Sequence, residues 1–390
     1  MARYSSALKR PPVNELPSKP AGEFVDDATE LLGVAVEYER RRGRGAQSNA
    51  AGRYEPHARI AFDDGWRSLD ELPPFKTTVI NDATRKIITR NDSPDIGFDR
   101  SINPYRGCEH GCVYCFARPT HAYLGLSPGL DFESKLFVKP EAAELLEKEL
   151  AAPGYSPKVI AIGTNTDPYQ PIERRYKVMR RILEVLDSAG HPVGIVTKSA
   201  LVLRDLDILA RMAERKLAKV ALSLTTLDPE LARKMEPRAA TPMRRLETLR
   251  RLTQAGVPTT VMVAPIIPAL NDMEIERILD AAQAAGVKEA GYVLLRLPLE
   301  VRDLFREWLT ANYPDRADHV FKLIRDTRGG KDYDSTWSKR MKGTGPYAWM
   351  IGRRFEMACE KLGLNAAKYS LSTEHFRAPK PDAAQLSLFA

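Results

Sequence analysis

The stretch "KVIAIGTNTDPYQPIERRYKVMRRILEVLDSAGHPVGIVTKS" (residues 158–199) contains one complete strand–helix–strand unit. Its outer parts, "KVIAI" and "PVGIV", are short apolar runs rich in β-branched residues, which is typical of buried strands. Between them, apolar residues recur every three or four positions until Gly190, as in an amphipathic helix that ends at a glycine. Two strands joined by one helix predict a parallel pair with a crossover connection.

The same alternation continues toward the C-terminus. Further strands are predicted at "KVALSLT", "PTTVMVAPII" and "AGYVLLRL", and a further helix at "MRRLETLRRLTQAGV". With a short strand before residue 103, this makes about six strand–helix units, which is too few for a complete eight-stranded barrel. The alternation fits either an open partial barrel or a doubly wound sheet, and both place a functional site at the carboxyl ends of the strands.

The chain has 390 residues, of which 43% are hydrophobic, enough for a large buried core. It begins "MARYSSALKRPPVNELPSKP", without a long apolar segment, so we predict a cytoplasmic protein that makes no membrane contact. The net charge of +8 comes from 59 basic and 51 acidic residues and indicates little by itself. The densest basic run, "EYERRRGRG", is expected to be a solvated loop.

Changes in composition divide the chain into four predicted regions. They are an irregular basic N-terminal extension (1–95), the strand–helix region (96–312), a C-terminal cap segment (313–378) and a flexible tail (379–390). The cap segment contains basic and aromatic residues that either line a nucleic-acid groove or pack as a folded cap: Arg328, Lys331, Tyr333, Trp337, Arg340, Lys342 and Tyr347.

Three of the four cysteines lie within eight residues of "NPYRGCEHGCVYCFARPTH", at Cys108, Cys112 and Cys115. Clustered thiols in a reducing compartment usually hold metal. A structural zinc site would need a fourth ligand, for which His110 and His121 are the nearest candidates. Three thiolates fit an iron–sulfur cluster with one iron left open better than they fit zinc.

The CxxxCxxC spacing, with Tyr114 before the third cysteine and a position just after the first strand, resembles the radical S-adenosylmethionine (SAM) superfamily. This resemblance implies a partial (β/α)6 barrel of the α/β class and a 4Fe–4S cluster ligated by the three cysteines. It also implies that SAM binds the open iron and is cleaved to a 5′-deoxyadenosyl radical, so that Tyr114 and the cysteines form the catalytic group. A reductant such as flavodoxin or ferredoxin is the implied electron donor.

A narrower resemblance, over residues 98–300, is to the spore photoproduct lyase-like branch, often labelled "DNA repair photolyase". It is carried by "NPYRGCEHGCVYCFAR", "DFESKLFVK", "GTNTDPYQPIE", "IVTKS", "SLTT" and "APIIPALND". The resemblance implies that Thr166 and Ser223 hydrogen-bond the methionyl end of SAM and that Lys198 pairs with its carboxylate. The alternative for Lys198 is a side chain that extends to solvent.

Three further residues near the strand ends are candidates for the cofactor pocket. Pro265 is expected to shape the adenine side of the pocket, because a proline marks the end of a central strand. Asp167 and Glu173 are expected either to orient ligands or to cap the following helix, with capping favoured for Glu173.

Two positions depart from spore photoproduct lyase. Thr164 stands where that enzyme has an additional cysteine that returns a hydrogen atom, and Phe116 stands where it has a tyrosine. We therefore do not expect repair of the same thymine lesion by the same route. Cys359, in "FEMACEKLGL", is expected to be a small core residue rather than a replacement hydrogen donor.

The segment "QLSLF" (residues 385–389) places apolar residues in a tail that we expect to be unstructured. It resembles the peptide motif that binds the bacterial sliding clamp. The resemblance implies that the anchoring residues are Gln385, Leu386, Leu388 and Phe389. The alternative is that the tail docks on its own domain.

Three functions follow from these features. The first is a radical SAM enzyme acting on DNA in repair or modification and recruited by the clamp. The second is the same chemistry acting on RNA, a protein or a small molecule. The third is a clamp-associated iron–sulfur protein that senses redox state without turnover.

Overall fold

The computed structural model describes residues 36–55 and 74–379. Its ten strands are β1 (Thr78–Asn81), β2 (Ile88–Arg90), β3 (Arg100–Ile102), β4 (Tyr105–Arg106), β5 (Lys135–Val138), β6 (Ile160–Ile162), β7 (Val193–Thr197), β8 (Ala218–Ser223), β9 (Thr259–Ile266) and β10 (Glu289–Leu294). They form a seven-stranded sheet with the order β10-β9-β8-β7-β6-β3-β2 and a small sheet with the order β1-β5-β4.

Six neighbouring strands of the large sheet, β3 and β6 to β10, run parallel, and β2 adds an antiparallel edge next to β3. Within the described residues the edge strands β2 and β10 do not pair with each other, so the sheet is open. The prediction of a partial barrel with six parallel strands is therefore confirmed.

Helices follow the strands of the large sheet and cover it. The twelve α-helices of the described chain are α1 (Leu130–Ser134), α2 (Ala142–Leu150), α3 (Glu173–Tyr176), α4 (Val178–Ser188), α5 (Leu206–Glu214), α6 (Pro229–Met235), α7 (Pro242–Gln254), α8 (Ile275–Ala284), α9 (Val301–Asn312), α10 (Ala317–Asp326), α11 (Lys339–Lys342) and α12 (Gly345–Leu362). Short 3₁₀ helices cover Arg118–Leu124, Ala200–Asp205, Asp272–Glu274 and Pro314–Arg316.

The main core lies between the sheet and these helices. Strand residues such as Ile160, Ile195 and Val220 are buried, and α4 turns Ile182 and Leu186 toward them. The three-to-four-residue spacing of apolar side chains in α4 therefore gives one buried face, as the sequence pattern predicts.

The helix predicted to run from residue 173 to 190 is broken in the structure. Lys177 has a positive φ of 50° and separates α3 from α4. Glu173 is buried, and its carboxylate accepts a hydrogen bond of 3.1 Å from the amide of Met179 in the first turn of α4. Glu173 thus caps α4 from the preceding turn, so the capping interpretation of this residue agrees with its position.

The described part of the N-terminal extension joins both sheets. β1 pairs with β5, and β2 pairs with β3. Arg44, from the basic run, is buried and donates to the carbonyls of Glu133 (2.5 Å) and Phe75 (2.8 Å). The expectation of a solvated basic loop is therefore wrong for Arg44, because its guanidinium joins the extension to α1, which contains Glu133.

The cap segment is folded against the end of the sheet. Arg328 is almost fully buried and donates to the carbonyls of Leu295 (2.6 Å) and Lys339 (2.9 Å), and Arg340 pairs with Asp95 (2.5 Å). These two residues hold the cap, which agrees with the folded-cap alternative for them and not with a nucleic-acid groove. The exposed residues of that set are Lys331, Trp337 and Lys342.

Residues 363–377 run back along the helical layer. Phe376 contacts Tyr155 and His191, and the amide of Arg377 donates to the carbonyl of Ala189 (2.8 Å). In the part of the chain that the structure describes, every helix is too short or too polar to cross a bilayer.

Candidate cluster and cofactor site

The three clustered cysteines lie on one loop at the carboxyl end of the sheet. Cys108 and Cys112 are buried, Cys115 is half-buried, and all three are free thiols. Gly107 and Gly111 have positive φ values of 73° and 68°. A Cβ on Gly107 would lie 2.8 Å from a backbone oxygen, and one on Gly111 would lie 2.8 Å from a carboxylate oxygen. Only glycine fits these two turns of the loop.

A buried ion pair between Arg118 and Glu133 holds the cysteine loop in place. Arg118 donates to the carbonyl of Cys112 (2.9 Å) and to the carboxylate of Glu133 (2.5 Å), and both side chains are fully buried. The same carboxylate accepts the amides of Gly45 and Ala46, each at 2.9 Å. Glu133 therefore joins the N-terminal extension to the cysteine loop, which the sequence pattern did not indicate.

The two histidines near the cysteines are engaged elsewhere. The Nε2 of His121 is 2.9 Å from the carbonyl oxygen of Lys135, and the Nδ1 of His110 is 3.3 Å from the carboxylate of Asp167. Among the described residues, no group of three or more His, Cys, Asp or Glu side chains is placed to hold a single metal ion. The structure does not assemble a four-ligand zinc site with either histidine.

The environment of the thiols fits an iron–sulfur cluster. Burial raises the pKa of Cys112 to about 12, with a further contribution from the Glu236 carboxylate, and burial also raises the pKa values of Cys108 and Cys115. Bare thiolates are thus disfavoured there, and a bound metal group supplies the positive charge that keeps thiolates deprotonated. The positive charge of Lys198 also favours the thiolate forms, because it lowers the pKa values of Cys112 and Cys115.

Two of the predicted cofactor residues, Lys198 and Ser223, lie beside this loop and close to its Tyr114. The Nζ of Lys198 is 3.2 Å from the Oγ of Ser223 and 5.8 Å from the ring centroid of Tyr114. Lys198 directly follows β7 and Ser223 ends β8, so neighbouring parallel strands bring them to the same edge. Lys198 therefore points into the site and not away from the protein.

Asp167 holds the strand end that carries Lys198. Its carboxylate accepts hydrogen bonds from the amide of Lys198 (2.7 Å), the hydroxyl of Thr197 (2.7 Å) and the amide of Tyr169 (2.9 Å). Burial alone would raise its pKa, but His110 and these hydrogen bonds lower the pKa of Asp167 to about 2. An ionised Asp167 thus joins β7 to the cysteine loop through His110.

Thr166 and Pro265 lie at the carboxyl ends of β6 and β9, which β7 and β8 separate in the sheet. The Thr166 hydroxyl is buried and donates to the carbonyl of Tyr105 (2.9 Å). Pro265 is the second-last residue of β9, and its carbonyl accepts from the Nδ2 of Asn271 (3.0 Å). Contacts of Thr166, Asp167 and Pro265 with SAM remain predictions.

A second buried ion pair supports Tyr114. The Tyr114 hydroxyl and Arg245 both hydrogen-bond the carboxylate of Glu236, which also accepts from Thr225 (2.7 Å). Arg245 further donates to the carbonyl of Ser223 (2.9 Å). Despite burial, Arg245 and Lys198 lower the pKa of Glu236 to about 2. Sequence reasoning missed this network, since nothing in "MEPRAATPMRRLE" indicates which charges become buried.

The remaining candidates are placed as follows. Phe116 is exposed beside the site, and Thr164 is half-buried after β6. Cys359 lies on α12 in the main core, whereas Cys112 and Tyr114 belong to a different apolar cluster, so Cys359 is a core residue as expected. The predicted clamp-binding residues lie outside the described part of the chain.

A similar protein and a family model together identify the family of this chain. An uncharacterized protein of Mycobacterium tuberculosis strain H37Rv is 37% identical over 291 residues, which cover 74% of this chain and 80% of the relative. Residues 102–282 match the Radical SAM superfamily. This chain belongs to the radical SAM superfamily. The family uses a 4Fe–4S cluster and SAM, which the three-thiol loop and the adjacent cation fit.

The chain is also similar to a second relative and to two solved structures. An uncharacterized protein of Methanocaldococcus jannaschii is 28% identical over 245 residues, covering 63% of this chain and 87% of the relative. Spore photoproduct lyase complexed with dinucleoside spore photoproduct has the same fold, with a TM-score of 0.53 and 16% identity over 73% of this chain and 80% of that one. A spore photoproduct lyase double mutant with bound SAM and the same lesion has a TM-score of 0.50 and 16% identity over the same shares of the two chains.

Proposed function

We propose that this protein is a cytoplasmic radical SAM enzyme that removes a hydrogen atom from DNA during repair or modification and is recruited by the sliding clamp. The observation that carries the enzymatic part is the grouping of Lys198 and Ser223 with Tyr114 of the three-cysteine loop. When bound, the reduced cluster and SAM supply a 5′-deoxyadenosyl radical that abstracts hydrogen from the substrate.

The residues of the chain orient the two cofactors. Cys108, Cys112 and Cys115 hold the cluster. Lys198, steadied by Ser223 and by Asp167 at its amide, receives an anionic group, since a half-buried ammonium at a strand end needs one. This arrangement supports binding of the methionyl carboxylate by Lys198.

Tyr114 is fixed by its hydroxyl and its neighbours. The hydroxyl is tied to Glu236, and the ammonium group of Lys198 lies over its ring. The Glu236–Arg245 pair behind the ring is fully buried, which keeps Tyr114 rigid next to the third cysteine. This rigidity supports a role for Tyr114 in positioning the cofactor and no role as a mobile acid or base.

Three features support DNA as the substrate. A protein with the same fold binds a dinucleoside lesion. Lys331, Trp337 and Lys342 are exposed on the cap, and cations interleaved with aromatic rings are typical of single-strand contacts. The "QLSLF" segment supports recruitment by a sliding clamp. A flavodoxin or ferredoxin is proposed as the electron donor.

Isotope transfer tests the choice of substrate. Oxygen-free reconstituted protein is reduced in the presence of SAM and lesion-bearing duplex DNA made from deuterated nucleotides. We expect deuterium in the 5′-deoxyadenosine, detected by mass spectrometry, because the hydrogen comes from DNA. Deuterated RNA of the same sequence is the control. Deuterium transfer from RNA and none from any DNA would contradict the proposal.

A further inference from the structure

Arg296 lies at the carboxyl edge of the sheet, beside the cysteine loop. It follows β10, and the preceding amide of Leu295 still pairs with the carbonyl of Ile266 (2.9 Å). Its guanidinium carbon is 4.8 Å from the ring centroid of Phe116, the residue directly after Cys115. The side chain is therefore held next to a cluster ligand.

The charge of Arg296 has no counterion in the described structure. Its polar contacts are neutral and long, 3.4 Å to the Tyr333 hydroxyl and 3.7 Å to the Met341 sulfur. The Nε is buried without a hydrogen-bond partner, and no carboxylate of the described residues forms an ion pair with it. A half-buried guanidinium in this state retains several unused donors.

A second cation, Arg328, lies near Arg296 and adds to the positive charge at this edge of the sheet. Arg328 is almost fully buried, and among the described residues its guanidinium donates to backbone carbonyls alone, including Leu295 (2.6 Å) and Lys339 (2.9 Å). Burial lowers the pKa of Arg328 and the charge of Arg296 adds to this effect, whereas Tyr333 and the Asp334 carboxylate act in the opposite direction. By contrast, Arg340 on the same cap is neutralised by Asp95 (2.5 Å). Within the described residues, Arg340 therefore has a carboxylate partner, whereas neither Arg296 nor Arg328 forms an ion pair.

Uncompensated positive charge away from bulk water costs free energy that an incoming anion offsets. We propose that Arg296, which lies over the ring of Phe116, binds a phosphodiester group of the substrate next to the nucleotide that reacts. This inference rests on the proposed function and names the contact that places the nucleic acid at the site. A planar guanidinium with free donors suits a phosphate, which it contacts through two parallel hydrogen bonds.

The anion at Arg296 is distinct from the carboxylate of SAM. Lys198 follows β7 and Arg296 follows β10, and two strands, β8 and β9, separate them in the sheet. Lys198 already offers a cation with a hydroxyl partner beside the cysteines. Arg296 is therefore assigned to the substrate and Lys198 to the cofactor.

Binding of a fluorescein-labelled single-stranded DNA 10-mer to the oxygen-free, unreduced holoprotein tests this assignment. Arg296→Met is compared with Arg277→Met, which removes the same charge from an exposed position on α8. We expect Arg296→Met to weaken binding about tenfold and to lower the salt dependence by about one phosphate contact. Arg277→Met stays within twofold of the wild type.

Replacing single phosphates of the 10-mer by neutral methylphosphonates identifies the contact. One position is expected to weaken binding to the wild type about tenfold and to have no effect on Arg296→Met, because the same hydrogen bonds are then already lost. Arg296→Lys keeps the charge without the planar fork, and we expect intermediate affinity. SAM binding, measured by equilibrium dialysis, stays unchanged in both variants and shows that they are folded.

Four other results would contradict the assignment of Arg296 or the function on which it rests. Wild-type affinity of Arg296→Met for the 10-mer overturns the phosphate contact, and so does an equal loss in Arg277→Met. Weakened SAM binding in Arg296→Met and Arg296→Lys assigns the residue to the cofactor. Failure of the wild type to bind any DNA at low salt overturns the proposed function itself, before the role of Arg296 is at issue.

Discussion

Lys198 is the residue on which the cofactor assignment depends most. Its ammonium group lies 3.2 Å from Ser223 Oγ, close to two of the three clustered thiols. We expect Lys198→Met to weaken SAM binding by about 10- to 100-fold, because a charge-assisted contact is lost, while iron content stays unchanged. Equilibrium dialysis with reconstituted protein measures the effect. The exposed Lys288→Met is the matched control, and equal affinities of the two variants would contradict the role of Lys198.

At this scale the sequence predicts short motifs better than buried networks. The cysteine spacing indicates the metal site, and the resemblance indicates Lys198, Ser223 and Tyr114, which the structure brings together. The sequence does not indicate the pairing of Glu236 with Arg245, because this pairing depends on how α6 and α7 fold over β8. Charges nine positions apart carry no local signal, whereas ligand residues within one loop do.

At the scale of elements, the cysteine loop depends on a buried ion pair that a single substitution removes. Its buried Arg118–Glu133 pair also holds the N-terminal extension. We expect Glu133→Gln to destabilise the protein by about 3 kcal/mol or more, because Arg118 is left buried without a counterion, and to lower the iron content. Urea unfolding and iron analysis measure these effects. Glu247→Gln breaks an exposed pair with Arg250 and should cost less than about 1 kcal/mol.

Equal stabilities of Glu133→Gln and Glu247→Gln would show that the buried pair contributes nothing to the fold. Loss of stability with full iron content would show that the pair supports the extension without shaping the cluster loop. Either result would contradict the account of this element.

Residues 363–377 cover a buried histidine, His191, which lies two residues before β7. His191 is fully buried against Tyr155 and Phe376, and burial lowers its pKa from 6.5 to about 4. The unfolded chain therefore binds a proton near pH 6.5 that the folded chain accepts only near pH 4. The stability contributed by neutral His191 is complete above pH 6.5 and is lost as the pH falls toward 4.

Comparison with His191→Gln isolates this group, since glutamine keeps a polar side chain and does not titrate. Relative to that variant, we expect the wild type to lose about 2 kcal/mol of unfolding free energy between pH 7.5 and pH 5. Urea unfolding at both pH values is the measurement. A parallel pH dependence of the two proteins would contradict a buried, neutral His191.

Element boundaries show why sequence patterns have limits at this scale. Five of the six parallel strands, β6 to β10, overlap the apolar runs of the sequence, and Gly190 and Gly256 follow their helices with positive φ as expected. The break at Lys177 carries no such signal, because a lysine there fits a continuous amphipathic pattern. The buried carboxylate of Glu173 caps α4 at this break and is held by Tyr105 and Arg204 (2.6 Å), which are distant in the sequence.

At the scale of the whole molecule, the segment "QLSLF" (residues 385–389) is proposed to bring the enzyme to DNA. We expect a sliding clamp to retain the full-length protein with micromolar affinity, a binding free energy of about −8 kcal/mol. Phe389→Ala should abolish retention and leave 5′-deoxyadenosine formation unchanged, because the segment serves recruitment alone. Surface plasmon resonance on immobilised clamp measures the affinity. Equal retention of Phe389→Ala would contradict clamp recruitment through this segment.

The central claim is that the three-cysteine loop supports reductive cleavage of SAM, and 5′-deoxyadenosine formation tests it most directly. The protein is purified without oxygen, its cluster is reconstituted and reduced, and SAM is added, with Cys112→Ala as the control. The account predicts 5′-deoxyadenosine from the wild type and none from Cys112→Ala. A reduced, intact cluster that binds SAM and never cleaves it, even with nucleic acids present, would contradict the account and favour a redox sensor.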